Sequence, residues 1–347
     1  MGDLRELACD DPALQGPDAF RVGVIEQGRP VVMRAIGRQL PAVGHGAASP
    51  EAALAYLARF EQAGAGSERA NTGGPEVFIA PADVAGRYFY SADLAGFNFT
   101  RQAMPLTQAF ALMLRHAADG TAPTCYAGSV LASHYLPGFA EANRLNVVPP
   151  QVEARLWIGN ASHVACHYDA YENVACVLAG KRRFTLYPPA AIAGLYPGPI
   201  DHTMAGQPVS MAAADPANPA YPRFAKVRDL AVTVELGPGD ALFLPKLWWH
   251  EVAAASPLNV MLNYWWDATA IGPDAPMLSL LHAMIALAER PAAEREAFRA
   301  FFDHFVFRPD GHPLAHLPEA QRGVLKDLRG EGYGPIRAMI ARALRGN

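Results

Sequence analysis

Between Thr124 and Asp267 the apolar positions come in short runs, rich in β-branched and aromatic residues, and each run is broken by Gly, Pro or Asn. Strands joined by tight turns read this way, which predicts an antiparallel sandwich or barrel. The flanks have a different rhythm. Upstream, RPVVMRAIG reads as a short buried strand, and SPEAALAYLARFEQAG has a Ser49-Pro50 start, helical apolar spacing and a Gly stop. After the polar, Gly-rich GAGSERANTGG come the β-prone EVFIA and GRYFY, then MPLTQAFALMLRHA, whose spacing suits a helix. Downstream, PMLSLLHAMIALAE, AAEREAFRAFFDHFVF and GPIRAMIARALRG are amphipathic helical segments, and the methionines of the first should be core. The pattern is mainly β with flanking helices: an α/β N-terminal region over residues 1–120, a barrel over 121–270, and a helical C-terminal region over 271–347. The last is able to pack on the barrel or to join a second copy as a homodimer.

Composition narrows the class. The 347 residues are 51% apolar and 18% charged, with Gly and Pro at 30 each, as expected of a folded, turn-rich protein. A formal charge of −4 gives no general attraction to nucleic acid or anionic membrane, so neither is expected as a partner. No run approaches the roughly 18 uninterrupted apolar residues of a membrane helix. The beginning of the chain lacks a basic segment followed by an apolar one, and a cytoplasmic protein is expected. Cys9, Cys125, Cys166 and Cys176 show no zinc spacing and are read as reduced thiols.

The chemistry gathers near one triplet. In a strand, His167 and Asp169 project to one face while Tyr168 points away. Alone, an HxD triplet carries little information. About 80 residues on, LGPGDALFLPKLWWHEV offers a turn, an apolar strand, two tryptophans and His250, completing two imidazoles and one carboxylate. Such a set holds a metal and leaves coordination positions open, as in non-haem Fe(II) oxygenases. The competing reading makes His250 a cap of the sheet and His167 a hydrogen-bonded core residue.

In order and spacing, LWIGN, CHYDAYENVACVLAGKRRFTLYPP, PGDALFLPKLWWHEV and NVMLNYWW resemble the JmjC or cupin-like 2-oxoglutarate oxygenases. Within these the chain is similar to bacterial members of the branch that includes the asparaginyl hydroxylase acting on hypoxia-inducible factor. The resemblance runs from Tyr126 to Trp266, and LYPGPIDHTMAGQPVSM fits it as well. It implies a double-stranded β-helix (cupin or jelly-roll) core with Fe(II) held by His167, Asp169 and His250, and with 2-oxoglutarate and O2 as cosubstrates. Counting from the Gly180 turn, it makes Arg182 the partner of the distal 2-oxoglutarate carboxylate, a task suited to a planar guanidinium. Tyr126 would help hold that carboxylate, and Asn173 and Asn263 would line the cosubstrate pocket. Each also has a plain reading, as core aromatic, turn residue and strand amide. Val164 departs from the pattern, standing where related hydroxylases carry a cosubstrate-binding threonine; Ser162 or His163 could stand in for it.

The activity implied is hydroxylation of a protein or peptide side chain, and demethylation where the oxidised carbon is bonded to nitrogen. Two alternatives come from other classes. One is a cupin-type scaffold that binds a metal without turning over 2-oxoglutarate; the other is a metal-dependent cupin enzyme using several histidines and a glutamate, for which Glu172 and Glu251 are poorly positioned. Trp248, Trp249, Trp265 and Trp266 are read as core before substrate wall, and His134, His163 and His202 as loop or surface residues.

Overall fold

A computed structural model describes residues 4–64, 74–204, 206–270, 274–330 and 332–345; the Gly-rich run at 65–73 lies outside them. The chain divides into two units, Met1–Ala268 and Thr269–Asn347. In the first, fourteen strands are described: β1 (Arg5–Leu7), β2 (Val31–Met33), β3 (Glu76–Ala80), β4 (Arg87–Tyr88), β5 (Thr100–Ala103), β6 (Thr124–Leu131), β7 (Ala154–Gly159), β8 (Ser162–Tyr168), β9 (Glu172–Ala179), β10 (Arg182–Tyr187), β11 (Val232–Leu236), β12 (Ala241–Leu244), β13 (Trp249–Ala254) and β14 (Asn259–Trp266). The helices of this unit are α1 (Pro17–Gly23), α2 (Pro41–Ala48), α3 (Pro50–Gly64), α4 (Leu106–Ala118) and the single turns α5 (Ala132–Tyr135), α6 (Phe139–Ala142), α7 (Ile192–Leu195) and α8 (Met211–Ala214).

The strands form two sheets, ordered β1-β2-β12-β9-β14-β7-β6-β3-β5 and β11-β10-β13-β8-β4. From β7 to β14 the chain passes back and forth between them, and every pairing among these eight strands is antiparallel. This is the double-stranded β-helix, the jelly-roll core expected of the sequence, with helices on its flank. Its strands need not alternate in polarity where both faces are covered. β9 is buried at every residue: Val174, Cys176 and Leu178 pack with Phe20, Leu57 and Met113 of the N-terminal region, while Ala175 and Val177 join Phe184, Leu186 and Leu242 between the sheets. Each fully buried Val or Leu contributes about 1.5–3 kcal/mol.

Turn chemistry sets the register. Gly180, between β9 and β10, has φ of 76°, and a Cβ there would lie 2.4 Å from the Asn259 side-chain oxygen, so only glycine suits the position. From this turn Arg182, Phe184 and Leu186 face inward and Arg183 faces solvent. At the N-terminal side of α3, the Ser49 hydroxyl accepts from Ala52 N at 3.1 Å. GRYFY is strand only over Arg87–Tyr88, because the Asn98 side chain then takes over the ladder, accepting from Phe89 N at 2.9 Å and donating to Arg87 O at 2.8 Å. All four cysteines are free.

The second unit contains α9 (Pro276–Leu287), α10 (Ala292–Phe302), which continues as a π-turn to Phe307, and α11 (Tyr333–Arg345). No side chain of these helices is buried, and Ile285 is 84% exposed. The methionines of α9 are therefore not core as expected: Met284 is exposed, because a helix apolar on all sides has more surface than a short unit can cover. Among the described residues no helix is long and apolar enough to cross a membrane.

Candidate metal centre

His167 stands near the end of β8 and His250 near the start of β13, directly opposite one another in the ladder. The pairing then slips: Val252 opposes Val164, so β8 spends two residues, Ala165 and Cys166, where β13 spends Glu251. This bulge turns both Val164 and His167, three apart, toward the space between the sheets. Asp169 lies just beyond β8, where its carbonyl accepts from Leu247 N at 2.8 Å. Leu247 itself has φ of 67°, a left-handed conformation costly for a leucine, in the loop that delivers His250. Ligand atoms of His167, Asp169 and His250 lie within 4.8 Å of one another. Tyr168 points away and packs edge-on against Trp249 at 4.9 Å.

Each imidazole is oriented by backbone. His167 Nδ1 is 2.8 Å from Ala165 O and His250 Nδ1 is 3.2 Å from Trp248 O. With Nδ1–H donating to a carbonyl, Nε2 carries the lone pair that faces the site. Burial, followed by the neighbouring His167, lowers the His250 pKa to about 4, so this ring is neutral and ready to ligate near pH 7. The carboxylate is steered by amides: Asn173 donates to Asp169 Oδ2 at 3.2 Å, Asn263 donates to Asn173 at 3.0 Å, and Trp157 Nε1 donates to Asn263 at 2.9 Å. Asn173 and Asn263 thus line the pocket and also hold Asp169.

The far end of the same pocket is basic. Arg182 on β10 is 2% exposed, its Nη2 donates to Trp157 O at 3.2 Å, and its Nε is buried without a hydrogen-bond partner. No carboxylate pairs with it among the described residues. Burial drives the Arg182 pKa down, opposed by Tyr126, while burial drives the Tyr126 phenol up, opposed by Arg182. Gly159 makes room for this phenol, since a Cβ there would lie 2.6 Å from the Tyr126 ring. The space between this cation and the metal-ligand triad is walled by Val164, Phe184, Val252, Met261 and the indoles of Trp157 and Trp265.

Of those two indoles, Trp157 was missed by sequence reasoning and Trp265 was read as core before substrate wall. Trp265 Nε1 is buried and unpartnered at the pocket, so this tryptophan is not simply core. Its position two residues after Asn263 on β14, hence on the same face, was the available signal. Trp248 and Trp249 are core, and Trp266 packs against the large core. His163 faces the outer side of the small sheet, 2.9 Å from Glu251, and Glu172 pairs with Lys246 at 3.3 Å, so neither glutamate joins the triad. Ser162 is buried, and neither it nor His163 lines the pocket that Val164 enters. His202 stacks on Phe97 at 4.9 Å, and His134 sits edge-on to Tyr135.

Comparison with known proteins agrees with this architecture. Over 115 residues, 33% of this chain, it is 36% identical to HSPB1-associated protein 1 of Homo sapiens. Over 133 residues, 38% of the chain, it is 32% identical to Lysine-specific demethylase JMJ31 of Arabidopsis thaliana. Over 120 residues, 34% of the chain, it is 32% identical to Jumonji C domain-containing protein 5 of Drosophila melanogaster. The matched stretches span 23%, 23% and 29% of those relatives. The cupin-like domain profile matches residues 17–271, most of the first unit and nearly three-quarters of the sequence, and on that extent of match the chain belongs to the cupin-like domain family.

Proposed function

We propose that the chain is an Fe(II)- and 2-oxoglutarate-dependent oxygenase that hydroxylates a side chain of a protein or peptide. The observation that carries this reading is Arg182: a buried guanidinium without a carboxylate partner, in the same pocket as two imidazoles and a carboxylate. An unpaired buried charge is costly and calls for an anion. A dicarboxylate that pairs with Arg182 at one end and reaches the metal ligands at the other meets both needs.

The residues fit the ion. His167 Nε2, His250 Nε2 and an Asp169 oxygen would hold Fe(II), and this open donor set suits ferrous iron better than a closed structural zinc site. When bound, iron with 2-oxoglutarate would supply oxygen activation, with O2 giving one atom to the oxidative decarboxylation of the oxo acid to succinate and CO2 and the other to a substrate C–H bond. The protein does the positioning. Arg182 and Tyr126 grip the distal carboxylate, Asn173 and Asn263 fix the Asp169 rotamer, and Trp157, Trp265 and Val164 keep water from the space between. The Trp265 N–H remains available to an oxygen of the bound acid.

Hydroxylation is favoured by the resemblance to the asparaginyl hydroxylase branch, and the relative named as a lysine-specific demethylase supports N-demethylation as the second reading. The test is to supply Fe(II), 2-oxoglutarate and O2 and to follow succinate, with His167→Ala as control. Succinate that depends on His167 supports the oxygenase, and formaldehyde released from methylated peptides would select the second reading. Tight metal binding without 2-oxoglutarate binding would instead make the chain a metal-holding scaffold.

A further inference from the structure

A second cavity, about 600 Å³, lies on the outer face of the small sheet. That volume is in the range of small-ligand pockets, roughly 300–1,000 Å³. The same bulge that turns His167 inward leaves Ala165 and Cys166 as its floor, and these small residues are why space remains there. The loop following β4 and the segment running on from α8 form its walls, contributing the rings of Phe89, Tyr90 and Tyr221. Across the floor His163 Nε2 sits 2.9 Å from Glu251 Oε1. Asp215 faces the same cavity and accepts from the Asn218 amide at 3.0 Å.

The charge of this lining selects a ligand class. Glu251 has His163 as its partner and Asp215 is solvent-exposed; neither is paired with a lysine or arginine among the described residues, and the one arginine of the lining, Arg87, is exposed as well. An anion entering would meet two carboxylates, whereas a cation would meet them together with aromatic faces, which attract positive charge. We propose that this cavity binds a small organic cation, an amine or amidinium carried on an aromatic or alkyl body. The site lies behind β8 and β13, one sheet's thickness from the triad, and it stands independently of the iron reading.

The experiment titrates the full chain, without added metal, with 4-aminobenzamidine by calorimetry and by the fluorescence of the probe, and uses neutral 4-aminobenzamide as the shape control. The amidine is expected to bind and the amide to bind about tenfold or more weakly. Asp215→Asn and Glu251→Gln should each weaken the amidine by a similar factor. Ala214→Trp, at an exposed position of the lining, should block entry while leaving the melting temperature unchanged. Equal binding of amidine and amide, indifference to all three variants, displacement of the amidine by 2-oxoglutarate, or no heat at millimolar probe would each overturn the proposal.

Discussion

Replacing Arg182 by methionine separates a binding group from a structural one, because the two roles predict opposite signs for stability. The guanidinium is 2% exposed; its Nη2 donates to Trp157 O at 3.2 Å, the Tyr126 phenol lies beside it, and Nε has no partner. Without a ligand it is a buried charge lacking a counter-ion. Apolar groups that replace buried ionic groups at similar volume are often neutral or stabilising by about 1–4 kcal/mol. Arg182→Met should therefore melt at or above the parent, with each kcal/mol shifting the midpoint by about 2–4 °C. With ligand the sign reverses: losing one partner of a buried, hydrogen-bonded charge pair costs roughly 2–5 kcal/mol, or about 30- to 4,000-fold in the Kd for 2-oxoglutarate. Calorimetric titration of Mn(II)-loaded protein without oxygen measures that loss, and Co(II) absorption checks that the triad still binds metal. Unchanged 2-oxoglutarate affinity, or a variant that melts lower and loses Co(II) affinity in parallel, would refute the assignment and make Arg182 a framework residue.

Other expectations follow from neighbouring contacts. Asn263→Ala breaks the chain from Trp157 to Asp169 and should weaken Co(II) binding by about 10- to 100-fold, as loss of groups behind metal ligands does; no change in a competition titration would contradict its role. Val164→Thr puts a hydroxyl on the pocket wall and should tighten 2-oxoglutarate binding by one hydrogen bond, about 2- to 10-fold, read in the same calorimetric titration. We also propose that the exposed apolar surfaces of α9 and α10 join two copies of the chain. Light scattering should then give twice the mass of one chain, falling to one in the double variant Ile285→Glu, Phe301→Glu, and a parent that is already monomeric refutes it.

What the sequence disclosed depended on how local each signal was. The β-rich centre and its helical flanks were legible because turn residues punctuate the strands at short range, while the choice of Arg182 over Arg183 came from the family resemblance, counted from the Gly180 turn. The two-residue spacing of His167 and Asp169 suggested a shared strand face, but Asp169 lies past the end of β8, and it is the loop around Leu247 that brings it to the imidazoles. The bulge was not legible. It depends on pairing with β13, more than 80 residues away, so the direction of Val164 and the exclusion of His163 from the pocket could not be read from alternation alone. Trp157 was missed, and Trp265 was read as core first, for a related reason: an indole on a barrel strand looks the same in sequence whether its N–H meets a core partner or an open pocket. The methionines of α9 followed core spacing, yet spacing says nothing about whether a covering surface exists.

The opposed imidazoles on neighbouring strands have a thermodynamic corollary. A cation caught between rungs of one ladder acts as a removable cross-link, so occupancy and cooperative unfolding share a single free energy: at a hundred times the dissociation constant, saturation adds about 2.7 kcal/mol. Amides of β8 and β13 should accordingly exchange with deuterium more slowly as ferrous or manganous ion is added, and chelation should loosen that pair of strands before it disturbs β9, whose two faces are packed regardless of what the pocket holds.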